Sequence, residues 1–114
     1  MRAKPPKNVT LEGVTIAIDL VPFVGRINDR YRTGGQYYPS GPKVKVVNTL
    51  TLGGEQVTVF HELLHNVVER SGMTREFGPG GGVKVERILD YLDSWIVALL
   101  QENPALVDYL TARP

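Results

Sequence analysis

Phe60-His61-Glu62-Leu63-Leu64-His65-Asn66 is the stretch that decides how this chain folds around its chemistry. It places two histidines at positions i and i+4, with Glu62 directly after the first. On an α-helix such positions lie one above the other on a single face. His61 and His65 can therefore present two neutral imidazole nitrogens to one metal ion, and zinc is the ion expected for that spacing. Glu62 is placed to act as a general base, taking a proton from a water as that water attacks a carbonyl carbon. These are the only histidines in the chain. Leu63, Leu64 and the run from Val57 to Val68 make the surrounding segment an amphipathic helix suited to the centre of a small domain. The bland alternative is a pair of ordinary core or surface histidines.

Working outward, Gly53-Gly54 is expected to break the chain before this helix, which should run from about Glu55 to Ser71 and stop at Gly72. On the C-terminal side, Glu76 to Gly82 is too rich in glycine for regular structure and reads as a flexible loop. A second helix is expected from Val83 or Lys84 to Glu102, with Val85, Leu89, Leu92, Ile96 and Leu99 as its apolar stripe. Asn103-Pro104 then opens a short helix to about Thr111, Asn as N-cap and Pro as first helical residue. On the N-terminal side, Val9 to Leu11 and Val14 to Leu20 read as two strands joined at Glu12-Gly13, the second alternating apolar and polar residues. Gly25 to Pro42 reads as a loop reaching a short strand near Gln36 to Tyr38, and Lys43 to Asn48 as a further strand. Residues 1–7 are expected to form a flexible tail, and 8–114 a single domain.

A length of 114 residues allows one core, and a formal charge of +1 says little about partners. Residues 1–45 carry eight Lys or Arg against three Asp or Glu, whereas residues 46–114 carry five against nine. The proposed metal site thus falls in the acidic part. The basic part is scattered charge on a solvated surface, so nucleic acid is not the expected partner. The absence of cysteine rules out disulfides and Cys-ligated zinc. No signal peptide or membrane span is recognisable, and a cytoplasmic location is expected.

A catalytic zinc commonly has three protein ligands and a fourth position for water. With no further histidine, the third ligand must be a carboxylate. Glu69 follows the histidines on their own helix and would point past the metal, and Glu76 precedes the glycine loop. Glu86 lies in the first turn of the next helix, where an antiparallel return brings it back over the histidines. Asp90, one turn further along the same face, is its rival, and whichever is not the ligand can fix a histidine tautomer by accepting a ring N–H. An oxyanion donor is also needed, and Tyr31, Tyr37, Tyr38 and Tyr91 are all candidates.

With the strands before the H-E-L-L-H helix, the Glu-bearing helix after it and the ending Gln101-Glu102-Asn103-Pro104-Ala105-Leu106, the chain resembles the minimal zinc metallopeptidase-like proteins of phages and prophages. These are akin to the ImmA/IrrE type of the gluzincin group. The resemblance covers most of residues 8–111, is strongest at His61, Glu62 and His65, and weakest from Gly25 to Pro42. It implies a zincin-like α+β fold, with a small, mostly antiparallel sheet packed on the histidine-bearing helix and the Glu-bearing helix. It further implies Zn²⁺ held by His61, His65 and Glu86, catalysis by Glu62, and hydrolysis of a peptide or protein substrate. The glycine-rich insertion at Gly78 to Gly82 departs from the pattern and loosens the register of Glu86. Relatives of this type often act on a transcriptional regulator, which here would be a separate protein. Two other classes remain: a non-catalytic zinc-stabilised binding or assembly protein, and a nucleic-acid-associated accessory protein.

Overall fold

The alternation that begins at Val9 produces a hairpin. Strand β1 (Asn8–Leu11) pairs antiparallel with β2 (Val14–Val21), and the connecting Glu12 and Gly13 both take positive φ. The computed structural model describes residues 2–26, 32–38, 41–72 and 85–113; within these, the side chains of residues 25, 26, 32, 33, 85–91 and 93 are not described. Inside the stretch expected as a loop, β3 (Gly25–Arg26) and β4 (Arg32–Thr33) form a small antiparallel pair of their own. Then follow β5 (Gly35–Tyr38) and β6 (Lys43–Val47), antiparallel to each other.

The main sheet has the order β1-β2-β6-β5. Its two hairpin pairs are antiparallel, and its central pair, β2 with β6, is parallel. The sheet is therefore mixed, because after β2 ends at Val21 the chain comes back to begin β6 beside Ala17, so that the two strands run the same way. Val9, Leu11, Ile16, Ile18, Val44 and Val46 all point to one face and are buried. Against that face pack α1 (Leu52–Ser71), through Leu52, Val59, Leu63 and Val67, and the C-terminal helices α2 (Val85–Glu102) and α3 (Pro104–Thr111), through Leu99, Leu106 and Tyr109. This is a small α+β domain with three helices among the described residues.

Helix α1 starts three residues earlier than the double glycine suggests. Thr51 is its N-cap, accepting from the Gly54 backbone N–H at 3.1 Å, so Gly53 and Gly54 fall inside the first turn. Gly72 ends the helix in the left-handed conformation, at φ 80°. Asn103 does precede α3, but its side chain makes no capping bond. Instead Asn103 Oδ1 accepts from Thr10 N at 2.8 Å, and Nδ2 donates to the Thr10 and Leu99 carbonyls, both at 2.7 Å. The amide thereby occupies the outer edge of β1 as a neighbouring strand would.

Residues 2–7 form no strand or helix, yet their start is docked on the domain. Arg2 donates to the Leu50 carbonyl at 3.0 Å and to Glu55 Oε2 at 2.9 Å, and Ala3 packs against the core. Glu55 also accepts from the Tyr109 hydroxyl at 2.5 Å, so this buried carboxylate joins the N-terminal segment to α1 and α3. The glycine-rich stretch 76–82 lies outside the described residues. Among the described residues, no helix is long and apolar enough to cross a membrane.

Candidate metal centre

Helix α1 carries its apolar residues Val59, Leu63 and Val67 into the core, which turns His61 and His65 to the surface. Their rings meet edge to face with centroids 5.1 Å apart. Glu62 lies between the buried and exposed faces and is only 8% exposed. Its Oε1 stands 3.8 Å from His65 Nε2, too far for a hydrogen bond. One ligand atom from each of His61, Glu62 and His65 fits within a span of 4.8 Å. Two imidazole nitrogens and a carboxylate at that separation are a donor set that can hold a divalent transition-metal ion. Glu69, on the next turn, does not converge with them.

The three residues open into a cleft of about 380 Å³ whose other wall is β5, through Gly35, Gln36 and Tyr37. Gly35 is what lets the strand come so close. A Cβ there would stand 2.7 Å from Thr58 Cγ2, 3.1 Å from Glu62 Cγ and 3.2 Å from the Lys45 carbonyl oxygen. Two residues on, Tyr37 faces the same helix, and its hydroxyl accepts from Asn66 Nδ2 at 2.9 Å. Burial pushes the Tyr37 hydroxyl above the ordinary tyrosine value, partly offset by the Asn66 bond and reinforced by Glu69. The group is thus a protonated phenol at neutral pH.

The strand also exposes backbone. Val47 N donates to the Gly34 carbonyl at 2.8 Å, which makes Gly34 and Val47 a hydrogen-bonded pair. Antiparallel alternation then turns the N–H and C=O groups of Gly35 and Tyr37 away from β6, toward the free edge. Among the described residues no strand occupies that edge.

The expected site residues divide accordingly. His61, Glu62 and His65 come together. Glu86 and Asp90 both lie on α2, which contacts α1, but their side chains are outside the described residues, as are those of Tyr31 and Tyr91. Tyr38 falls on the opposite face of the sheet from Tyr37. Gly35 and Asn66 were not anticipated. An asparagine inside a helix is a weak signal, since the residue competes with helical backbone bonding and there has a reason to be elsewhere; Gly35 gave none. Comparison of the chain with protein-family models, curated proteins and solved structures yields no match.

Proposed function

We propose that this chain is a zinc-dependent metallopeptidase with a zincin-like fold, hydrolysing peptide bonds in a protein substrate. The observation that carries the reading is the convergence of His61, Glu62 and His65 within 4.8 Å, in a cleft walled by strand β5, whose outer edge no other strand occupies among the described residues. His61 and His65 would hold the zinc together with one acid of α2, Glu86 in the first instance. A bound zinc would supply Lewis acidity at the scissile carbonyl and a water activated at neutral pH.

The chain's own residues supply the rest. An extended substrate adds to β5 as a further strand, bonding the outward N–H and C=O groups of Gly35 and Tyr37. This holds the scissile bond along the mouth of the cleft, above Glu62. Glu62 takes a proton from the attacking water as the new C–O bond forms, then gives it to the departing amine nitrogen as the C–N bond breaks. Burial under Gly35 limits the rotamers of Glu62 and keeps its carboxylate facing the histidine pair. Tyr37, held by Asn66 and lining the same cleft, would turn its hydroxyl proton from Glu69 to the developing oxyanion.

The test is metal analysis of purified protein followed by digestion of casein. About one zinc per chain is expected for a single site. Wild type should degrade casein, and Glu62→Gln should keep the zinc while losing at least about a hundredfold in rate. A zinc-loaded wild type that cuts neither casein nor a degenerate peptide pool would overturn catalysis and leave a zinc-stabilised binding module.

A further inference from the structure

The outer face of β5 carries charge for which the cleft has no use. Alternation sends Gly35 and Tyr37 toward α1 and places Gln36 and Tyr38 on the opposite face, where Tyr38 opposes Lys43 and Gln36 opposes Lys45. The Nζ atoms of Lys43 and Lys45 each lie 5.5 Å from the centroid of the Tyr38 ring. That ring is laid back along its own strand, with its hydroxyl donating to Gln36 Oε1 at 3.3 Å. Both ammonium groups are thus drawn over the edge strand by the ring's π face. Among the described residues neither forms an ion pair. Asp19, in register with Lys45, sits on the same sheet face but on the side away from β5.

We propose that Lys43 and Lys45, held over Tyr38, select substrate segments bearing Asp or Glu at the alternate positions that face this side of the sheet. The inference rests on the peptidase reading for the way substrate docks. A strand added to β5 lies about 4.8 Å from it, and every second side chain falls beside Gln36 and Tyr38. A carboxylate there meets two cations that form no ion pair among the described residues, while a lysine or arginine meets like charge. The outer face therefore discriminates, whereas the inner face carries the reacting groups.

The experiment uses full-length, zinc-loaded Glu62→Gln protein, so that bound peptide stays intact. Two fluorescent pools of degenerate decapeptides are titrated, one with Glu and one with Lys fixed at alternate positions. The Glu pool should bind about tenfold more tightly, and the preference should shrink as salt is added. Lys43→Glu/Lys45→Glu should invert the preference, and the milder Lys43→Gln/Lys45→Gln should level it. Equal binding of the two pools, or a preference that survives both double substitutions, overturns the proposal. Cleavage by the wild type is scored separately. A Glu pool that binds preferentially but stays uncut supports the selectivity and removes the peptidase reading. Pools that are cut and bound without charge preference do the reverse.

Discussion

Asn66 Nδ2 donates to the Tyr37 hydroxyl at 2.9 Å, joining the helix of the histidines to the strand that faces them, while Asn66 Oδ1 is buried without a partner among the described residues. The bond fixes where the phenol stands, and burial keeps it protonated. If Tyr37 stabilises the oxyanion, Tyr37→Phe should lower kcat by about a hundredfold, the scale of losing one such donor, and leave KM and zinc affinity unchanged. Steady-state kinetics on a cleaved peptide decides this. An unaltered kcat would confine Tyr37 to packing.

Gly35→Ala should destabilise the domain by about 1–3 kcal/mol, the range for overpacking a close contact. The nearest obstacle is Thr58 Cγ2 at 2.7 Å, and Thr58→Ser removes it while keeping a hydroxyl. The double variant should recover only part of the loss, because the Lys45 carbonyl at 3.2 Å belongs to the backbone of β6 and cannot step aside. Urea midpoints of the four proteins give the answer. Full recovery would show that the strand is held off by Thr58 alone.

His61→Ala and His65→Ala should each abolish tight zinc binding. They should also abolish the rise in melting temperature that zinc gives the wild type, since a ligand bound only by the folded state stabilises it. Calorimetry with and without added zinc checks both effects. A histidine variant that still gains the full increment would place the metal elsewhere.

The proposed third ligand sets the two acids of α2 apart. Glu86→Ala should weaken zinc binding severely, whereas Asp90→Ala should weaken it by the ~10–100-fold usual for a residue that orients a ligand. Competitive zinc titration of the two variants distinguishes them. The opposite ranking would move the ligand one helical turn along, to Asp90.

Tyr109 supplies a prediction in pH. Burial, then its bond to Glu55, raises its hydroxyl above the ordinary value of 10.0. Below that value the folded and unfolded chains hold the proton alike, and the stability of the bonded phenol is fully present. Above it the unfolded chain releases the proton while the folded one retains it, so stability falls as pH rises. Tyr109→Phe should be less stable at neutral pH and should lose less on going to alkaline conditions. Denaturant unfolding at a series of pH values measures the slopes, and equal slopes would refute the assignment.

The sequence made some of this visible and concealed the rest for physical reasons. The strand at Ile16 and Ile18 was legible because a period of two needs no knowledge of its neighbours. The juxtaposition of His61 and His65 was legible because i, i+4 spacing is local to one helix. The start of α1 was misplaced because the side chain of Thr51 stabilises a first turn that two glycines argue against. The parallel pairing of β2 with β6 depends on where a long connection returns, which no local pattern records. Tyr37 and Tyr38 are adjacent and identical in chemistry, and only the register of β5 sends one to the cleft and the other to the lysines. Asn103 illustrates a related ambiguity: the residue suited to capping α3 bonds instead to Thr10, whose free edge lies far along the chain.

His61 and His65 occupy the middle turns of a 20-residue helix, well inside the Thr51 cap and the Gly72 stop. Fraying begins at helix ends, and amides in the central turns exchange with solvent only when larger units open. The residues beneath them, Val59, Leu63 and Val67, are wholly buried, so these turns cannot come loose without exposing the core. The histidine pair consequently has no private hinge. Its geometry lasts as long as the domain does, and slow deuterium uptake at positions 61–65 would accompany the slowest amides of β2 and β6.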